Sequence, residues 1–244
     1  MNKVVCFFAF VSKKDKYKYL NYALKLITKI QSESNLPIII LTDSKGYFDD
    51  MGVEVLYTFN PSFTDKVTLC EYALRFYDTA VYVDVDTTLD FKLLEQTEFE
   101  KGFHFWWWWK VIWRAYNQLE DKRYFKSLED YCLSNGLDIY GAQLIHEGFF
   151  VFRKSKGIKK FFEIYDKLAP VAIQNDLLHK KYPTGRAEGL LIGIALANSN
   201  YKNNGCSDSM KLLGHQLHQD KSKERKNMWD SIDNPNKLQK KTMI

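Results

Sequence analysis

Asp84 and Asp86 are the residues in this chain whose types and spacing most plainly suggest chemistry. They close the run Thr79-Ala80-Val81-Tyr82-Val83-Asp84-Val85-Asp86-Thr87-Thr88-Leu89-Asp90. The run is short, β-branched and apolar before it turns acidic, which predicts a buried strand. Side chains alternate across a strand, so both carboxylates are expected on one face. In open α/β sheets ligands sit at the carboxyl ends of strands. A carboxylate pair there suits a hard divalent cation, Mg²⁺ or Mn²⁺, held together with substrate phosphates. A plain turn, in which each Asp bonds nearby backbone amides, uses the same residues.

Several other residues carry chemistry. Lys66 opens the segment before the acidic strand, placed to reach phosphates or simply to face water. Gln143-Leu144-Ile145-His146-Glu147-Gly148 and Gly185-Arg186-Ala187-Glu188-Gly189 each set an acid next to a predicted element. A first-turn acid such as Glu188 simply suits a helix start. In Gly214-His215-Gln216-Leu217-His218, His215 follows an apolar run and a Gly, which suits a strand end. Trp106–Trp109, with Trp113 beyond, could stack on sugars or bases, or fill a core. Alternation puts Phe103, Phe105, Trp107 and Trp109 on one side of that run, and His104, Trp106 and Trp108 on the other. One side is expected to be core and the other to face an acceptor.

The elements that position these residues follow from periodicity. Val4–Val11 reads as a first strand. Lys16–Gln31 is helical, and Ile38–Leu41 and Val53–Phe59 are strands. Thr64 and Asp65 can cap a helix whose core face is Val67, Cys70, Leu74 and Tyr77. Alternating strands and helices predict a mostly parallel sheet with crossover helices. Further on, Gly102–Trp109 is expected as a strand, about 114–135 as a helix stopped by Gly136, and Phe149–Phe152 as a strand. A helix bearing Ile158, Phe161, Phe162, Tyr165 and Leu168 should stop at Pro170, and Ala187–Asn198 is apolar enough to be a buried helix. Order after Asn200 is doubtful, with one more segment expected near Ser207–Gln219.

The 244 residues, 45% hydrophobic and 27% charged, suit one large globular domain. One catalytic domain over 1–219 and a polar tail over 220–244 are expected. From Lys211 onward, eight Lys/Arg face four Asp/Glu, so the tail carries most of the net charge of +5. Cys6, Cys70, Cys132 and Cys206 form no C-x-x-C pair, which argues against a zinc ribbon or a disulfide framework and favours a reduced, cytoplasmic setting. The apolar start is too short for a signal peptide, and no run reaches the ~18 apolar residues of a membrane span.

The order of parts, with Lys66 before Tyr82-Val83-Asp84-Val85-Asp86, resembles the nucleotide-diphospho-sugar transferases of the GT-A fold, the glycogenin-like and lipopolysaccharide-galactosyltransferase-like group in particular. The resemblance spans residues 3 to about 200 and is most specific over 66–90. It implies a Rossmann-like, mostly parallel sheet with helices on both faces and a small antiparallel addition on the acceptor side. It also implies a metal-dependent glycosyltransferase of the retaining kind, moving a hexose or pentose from a nucleoside diphosphate sugar to an acceptor hydroxyl. Asp86 would be the direct ligand of Mn²⁺ or Mg²⁺. Asp84 would hold the ribose or a metal-bound water, and His215 would be the third ligand. Phe8, Ala9, Phe10 and Val11 would wall the nucleotide, Asp43 would read the base, Lys66 would meet the phosphates, and Glu188 would face the sugar; were the transfer inverting, Glu147 or Glu188 would be the general base. The family's His-x-x-Gly-x-x-Lys-Pro-Trp pattern is not intact around His215. The acceptor stays open among a glycan, a lipid-linked glycan, a protein and a modified DNA base.

Two other classes share these features. Asp84-Val85-Asp86-Thr87-Thr88-Leu89-Asp90 also resembles the first motif of haloacid-dehalogenase-type phosphatases, where Asp84 would be the nucleophile. That motif ordinarily opens its domain, whereas here about 80 residues of α/β chain precede it, and no later apolar run ends in an acidic pair. A non-catalytic carbohydrate- or nucleic-acid-binding module would use the aromatic run but has no need of the carboxylates.

Overall fold

The structure is a computed structural model, and it describes residues 2–11, 17–87, 89–105, 108–109, 123–145, 148–174 and 188–214. Strand β1 (Lys3–Ala9) is buried along its whole length, as a continuous apolar run covered on both sides must be. Helix α1 (Lys18–Glu33) leads to β2 (Ile38–Thr42), and a short 3₁₀ turn (Asp49–Met51) precedes β3 (Glu54–Tyr57). Helix α2 (Asp65–Ala73) returns the chain to β4 (Thr79–Val83). Then come α3 (Phe91–Gln96), β5 (Gly102–Phe105), β6 (Trp108–Trp109), α4 (Arg123–Ser134), β7 (Leu144–Ile145) and β8 (Phe149–Arg153). Helices α5 (Ile158–Gln174), α6 (Glu188–Ala197) and α7 (Asp208–Gly214) follow.

Among the described residues the main sheet has six strands in the order β3-β2-β1-β4-β8-β5, and β6 and β7 form a separate antiparallel pair. Strands β1 to β4 are mutually parallel, and β8 runs antiparallel to both β4 and β5. This is the expected mostly parallel α/β sheet with a small antiparallel addition. Alternate residues of β1 feed two cores. Val4, Cys6 and Phe8 pack with α2, α5 and α6, while Val5, Phe7 and Ala9 pack with α1, α3 and α7. Helices α1 and α2 therefore lie on opposite faces. The direction of winding reverses between β1 and β4, and such a reversal opens a crevice at the carboxyl ends of those strands.

Four expectations are corrected. The run from Gly102 to Trp109 is not one strand: β5 ends at Phe105 in the main sheet, and Trp108–Trp109 pair with Leu144–Ile145 in the other. Nor does one side of β5 stay open, because Phe103, His104 and Phe105 are all fully buried. Trp106 and Trp107 lie outside the described residues, as do the side chains of Trp108 and Trp109. Helix α5 continues past Pro170 to Gln174. Proline there removes one backbone donor, but Asp166 and Pro170 are both exposed, so water can meet the carbonyl left over. Thr64 makes no side-chain cap for α2; instead the Asp65 carboxylate accepts the Ser62 amide at 2.9 Å.

The stretch after Asn200 is better anchored than its composition suggests. Lys202 O accepts the Phe103 amide at 2.8 Å, Phe103 O accepts from Asn204 at 2.9 Å, and Gly205 O accepts the Phe105 amide at 3.2 Å. Residues 202–205 thus cover the outer edge of β5, the kind of edge that otherwise invites pairing with another chain. Gly102 permits this: its φ is +129°, and a Cβ there would lie 2.4 Å from Lys202 O.

Candidate active-site crevice

Strand β4 delivers Asp84 to the crevice, and β8 holds it there: the Asp84 amide donates to Gly148 O at 2.8 Å. The strand ends at Val83. Beyond it, Thr87 N donates to Asp84 O at 2.8 Å, closing a turn with Val85 and Asp86 at its corners. Strand alternation therefore does not relate the two carboxylates; the turn does. Val85 is 9% exposed and packs into the α1-side core, which leaves Asp86 exposed at the mouth of the crevice. Asp90, the third acid of the run, has a structural task. Its carboxylate accepts the Leu93 amide at 2.8 Å and caps α3.

Lys66 supplies the crevice's most unusual feature. Its side chain is 3% exposed, and its Nζ lies 2.9 Å from Asp84 Oδ1. The Tyr82 hydroxyl donates to the same oxygen, also at 2.9 Å. The ammonium lies 5.1 Å from the centre of the Tyr82 ring and 5.8 Å from that of Phe63. Two ring faces and a carboxylate thus compensate a cation that burial would otherwise destabilise by several kcal/mol. The reading of Lys66 as a solvent-facing first-turn lysine does not hold. Tyr82 precedes Asp84 by two residues on the same strand face, so alternation alone could have flagged its hydroxyl, to which the sequence reading gave no role.

The residues expected to wall a nucleotide sit at the end of β1. Phe8 and Ala9 belong to the two cores, and Phe10 and Val11 are half-buried at the strand's end. Phe10 stacks on Tyr19 with centroids 5.0 Å apart and meets Phe63 edge-on at 5.9 Å. The rings Tyr19, Phe10 and Phe63 therefore run in contact from α1 across the end of β1 to Lys66. Asp43, just past β2, accepts the Val11 amide at 2.9 Å, so it ties the ends of β1 and β2 together. At the next strand, Thr58 N donates to Thr42 O at 2.9 Å.

Of residues 143–148, Gly148 reaches Asp84 through the backbone; of residues 185–189, only Glu188 and Gly189, at the start of α6, are among the described residues. Helix α6 packs on the segment before β7 so closely that a Cβ on Gly193 would lie 1.7 Å from Gln143 O. Glu188 begins α6, but its side chain lies outside the described residues, as do Glu147, His146 and His215. Among the described residues no group of three His, Cys, Asp or Glu gathers as a metal site. The donor set present, an exposed carboxylate at the crevice mouth beside an ion-paired one, fits a hard divalent cation that takes one or two protein carboxylates and completes its shell with phosphate and water.

No family model matches the chain, and no curated protein does. Among solved structures it is similar to the mannosyltransferase Ktr4p from S. cerevisiae. Against the structure in complex with GDP the identity is 12%, the TM-score 0.43, and the match covers 79% of this chain and 66% of that one. Against a second Ktr4p structure the TM-score is 0.41 at the same identity, covering 79% and 65%. The match spans just under two thirds of the Ktr4p chain in both structures.

Proposed function

We propose that this protein is a glycosyltransferase that takes a nucleoside diphosphate sugar and passes the sugar to an acceptor hydroxyl. One observation carries the reading: a polar turn bearing Asp84 and Asp86 stands at the crevice between β1 and β4, with Asp84 fixed by the buried Lys66 and by Tyr82. A divalent ion, Mn²⁺ or Mg²⁺, would be held chiefly by Asp86 and would act as a Lewis acid toward the departing diphosphate. The protein's own part is to bind and orient. Phe10, Tyr19 and Phe63 offer aromatic surface at the end of β1. Asp84 accepts hydroxyl donors of the nucleoside, and a charge-assisted acceptor held by two donors cannot swing away. Glu188, at the start of α6, is the group to test against the sugar ring. In the phosphatase alternative Asp84 would itself be phosphorylated, and the observed bonds of Oδ1 to Lys66 and Tyr82 suit a fixed acceptor better than an attacking nucleophile.

The test is calorimetric titration of UDP and GDP with Mn²⁺ and again with chelator, followed by assay of slow hydrolysis of the matching sugar nucleotides. Binding that strengthens with Mn²⁺, and release of nucleoside diphosphate with free sugar, are the expected results. A fluoroberyllate adduct at Asp84 without any nucleotide binding would replace this reading by the phosphatase one.

A further inference from the structure

We infer that residues 202–207 are a pH-sensitive strap on the edge of the main sheet, released from β5 when His104 takes up a proton. The strap lies two strands away from β4. Its backbone holds β5 through the Phe103 and Phe105 amides and through Phe103 O. Two of its side chains converge on one ring. Ser207 Oγ lies 2.9 Å from His104 Nδ1, and Asn204 Nδ2 lies 3.0 Å from Nε2. Phe103 and Phe105 belong to the core shared with α2, so alternation sends the His104 ring to the opposite face, toward Ser207 at the start of α7. There the ring is fully buried.

The contacts favour a neutral ring. Asn204 Nδ2 also donates to Lys101 O at 3.0 Å, which marks it as the amino end of that amide. An imidazolium carries N–H on both nitrogens and would turn one of them against that amino group. Among the charged groups facing the ring, Lys202 on the strap and Arg153 on β8 oppose a further positive charge, and the Glu100 carboxylate favours it. Burial opposes it most and holds the pKa below the ordinary histidine value. Cys206 and Asp208, on either side of Ser207, interact with Lys211. Opening the strap wets the ring and takes Lys202 away from it. The open form therefore binds the proton more tightly, and falling pH favours opening. The movement is local. No residue between Tyr201 and Met210 is buried, whereas those two are, and the Tyr201 hydroxyl bonds the Arg153 backbone at 2.9 and 3.0 Å. The strap can lift between two fixed ends at less cost than global unfolding. It is closed above about pH 6.5, and opening grows by up to about tenfold per pH unit as the pH falls toward the lower closed-state value.

The experiment follows hydrogen exchange of single amides in the full chain by NMR, from about pH 7.5 down to about pH 5, corrected for the intrinsic pH dependence of exchange. The Phe103 and Phe105 amides donate to the strap and should lose protection by up to about tenfold per pH unit below about pH 6.5. The Val5 amide, which donates to Pro37 O within the sheet, should keep its protection. In His104→Gln the Phe103 and Phe105 amides should show no such response to pH, whatever their protection at neutral pH. Wild-type protection at Phe103 and Phe105 that stays constant with pH overturns the inference. So does protection lost in step with that of Val5, the sign of global unfolding, and so does a folded His104→Gln chain with the wild-type response. If His104→Gln does not fold by circular dichroism, the comparison of Phe103 and Phe105 with Val5 in the wild-type chain decides alone.

Discussion

His104 shows how the surroundings of one residue become a property that can be measured. It is fully buried at the centre of β5, with Nδ1 2.9 Å from Ser207 Oγ and Nε2 2.8 Å from Glu100 O. Asn204 Nδ2 also lies 3.0 Å from Nε2, so a hydroxyl, a carbonyl and an amide surround the ring, and a neutral imidazole suits them in either tautomer. Burial holds its pKa below the ordinary histidine value; the Glu100 carbonyl and carboxylate pull the other way, and Lys202 and Arg153 add to the lowering. The unfolded chain therefore takes up the proton first. The stability that neutral His104 contributes is complete above about pH 6.5 and is lost as the pH falls through the lower folded value. Melting temperatures measured downward from about pH 6.5 should drop more steeply for wild type than for His104→Gln. Parallel profiles would show that His104 does not titrate in this way. Such a role contrasts with the acceptor face first expected of its side of the strand.

At the scale of elements, close approach matters more than side-chain bulk. Helix α6 is buried from Gly189 to Leu196 and reaches the Gln143 backbone only because residue 193 has no Cβ. Gly193→Ala should therefore force the helix and the 143–145 segment apart. The expected loss is about 1–3 kcal/mol, the usual range for overpacking, read as a lower urea midpoint at unchanged slope. A variant as stable as wild type would mean that the two segments part without cost. Because Gly148 continues that segment to the Asp84 amide, the same substitution should also weaken nucleoside diphosphate binding, measurable by calorimetry on the folded variant.

For the molecule as a whole, the reversal of winding between β1 and β4 puts the crevice where both cores meet. The ring line from Tyr19 through Phe10 to Phe63 joins residues packed in each core. A ligand filling it should stabilise the entire fold. A nucleoside diphosphate at about 100 times its dissociation constant contributes about 2.7 kcal/mol, which appears as a rise in melting temperature of several degrees. The rise should require Mn²⁺ and should vanish in Asp86→Asn. An equal rise in that variant would count against metal-linked binding. No helix among the described residues is long and apolar enough to cross a membrane.

Sequence by itself determined what depends on local period. The buried strands β1, β2 and β4, the amphipathic α1, the nearly all-apolar α6 and the acidic run after β4 are each legible from residues a few positions apart, because a strand or helix face repeats every 2 or 3.6 residues. Asp84 and Asp86 could be singled out as acids closing an apolar run, but the alternation expected to put them on one face stops at Val83, and a turn sets them instead. Tertiary structure decided whatever joins distant residues. Lys66 and Asp84 are 18 positions apart, and nothing local says that a first-turn lysine will be buried under a carboxylate. Strand β8 inserts between β4 and β5, which no periodicity announces. The aromatic run divides between two sheets because its two halves pair with different distant strands, Phe103 with Phe152 and Trp108 with Ile145. Alternation describes a strand only for as long as it keeps one partner, and choosing the partner is a long-range event.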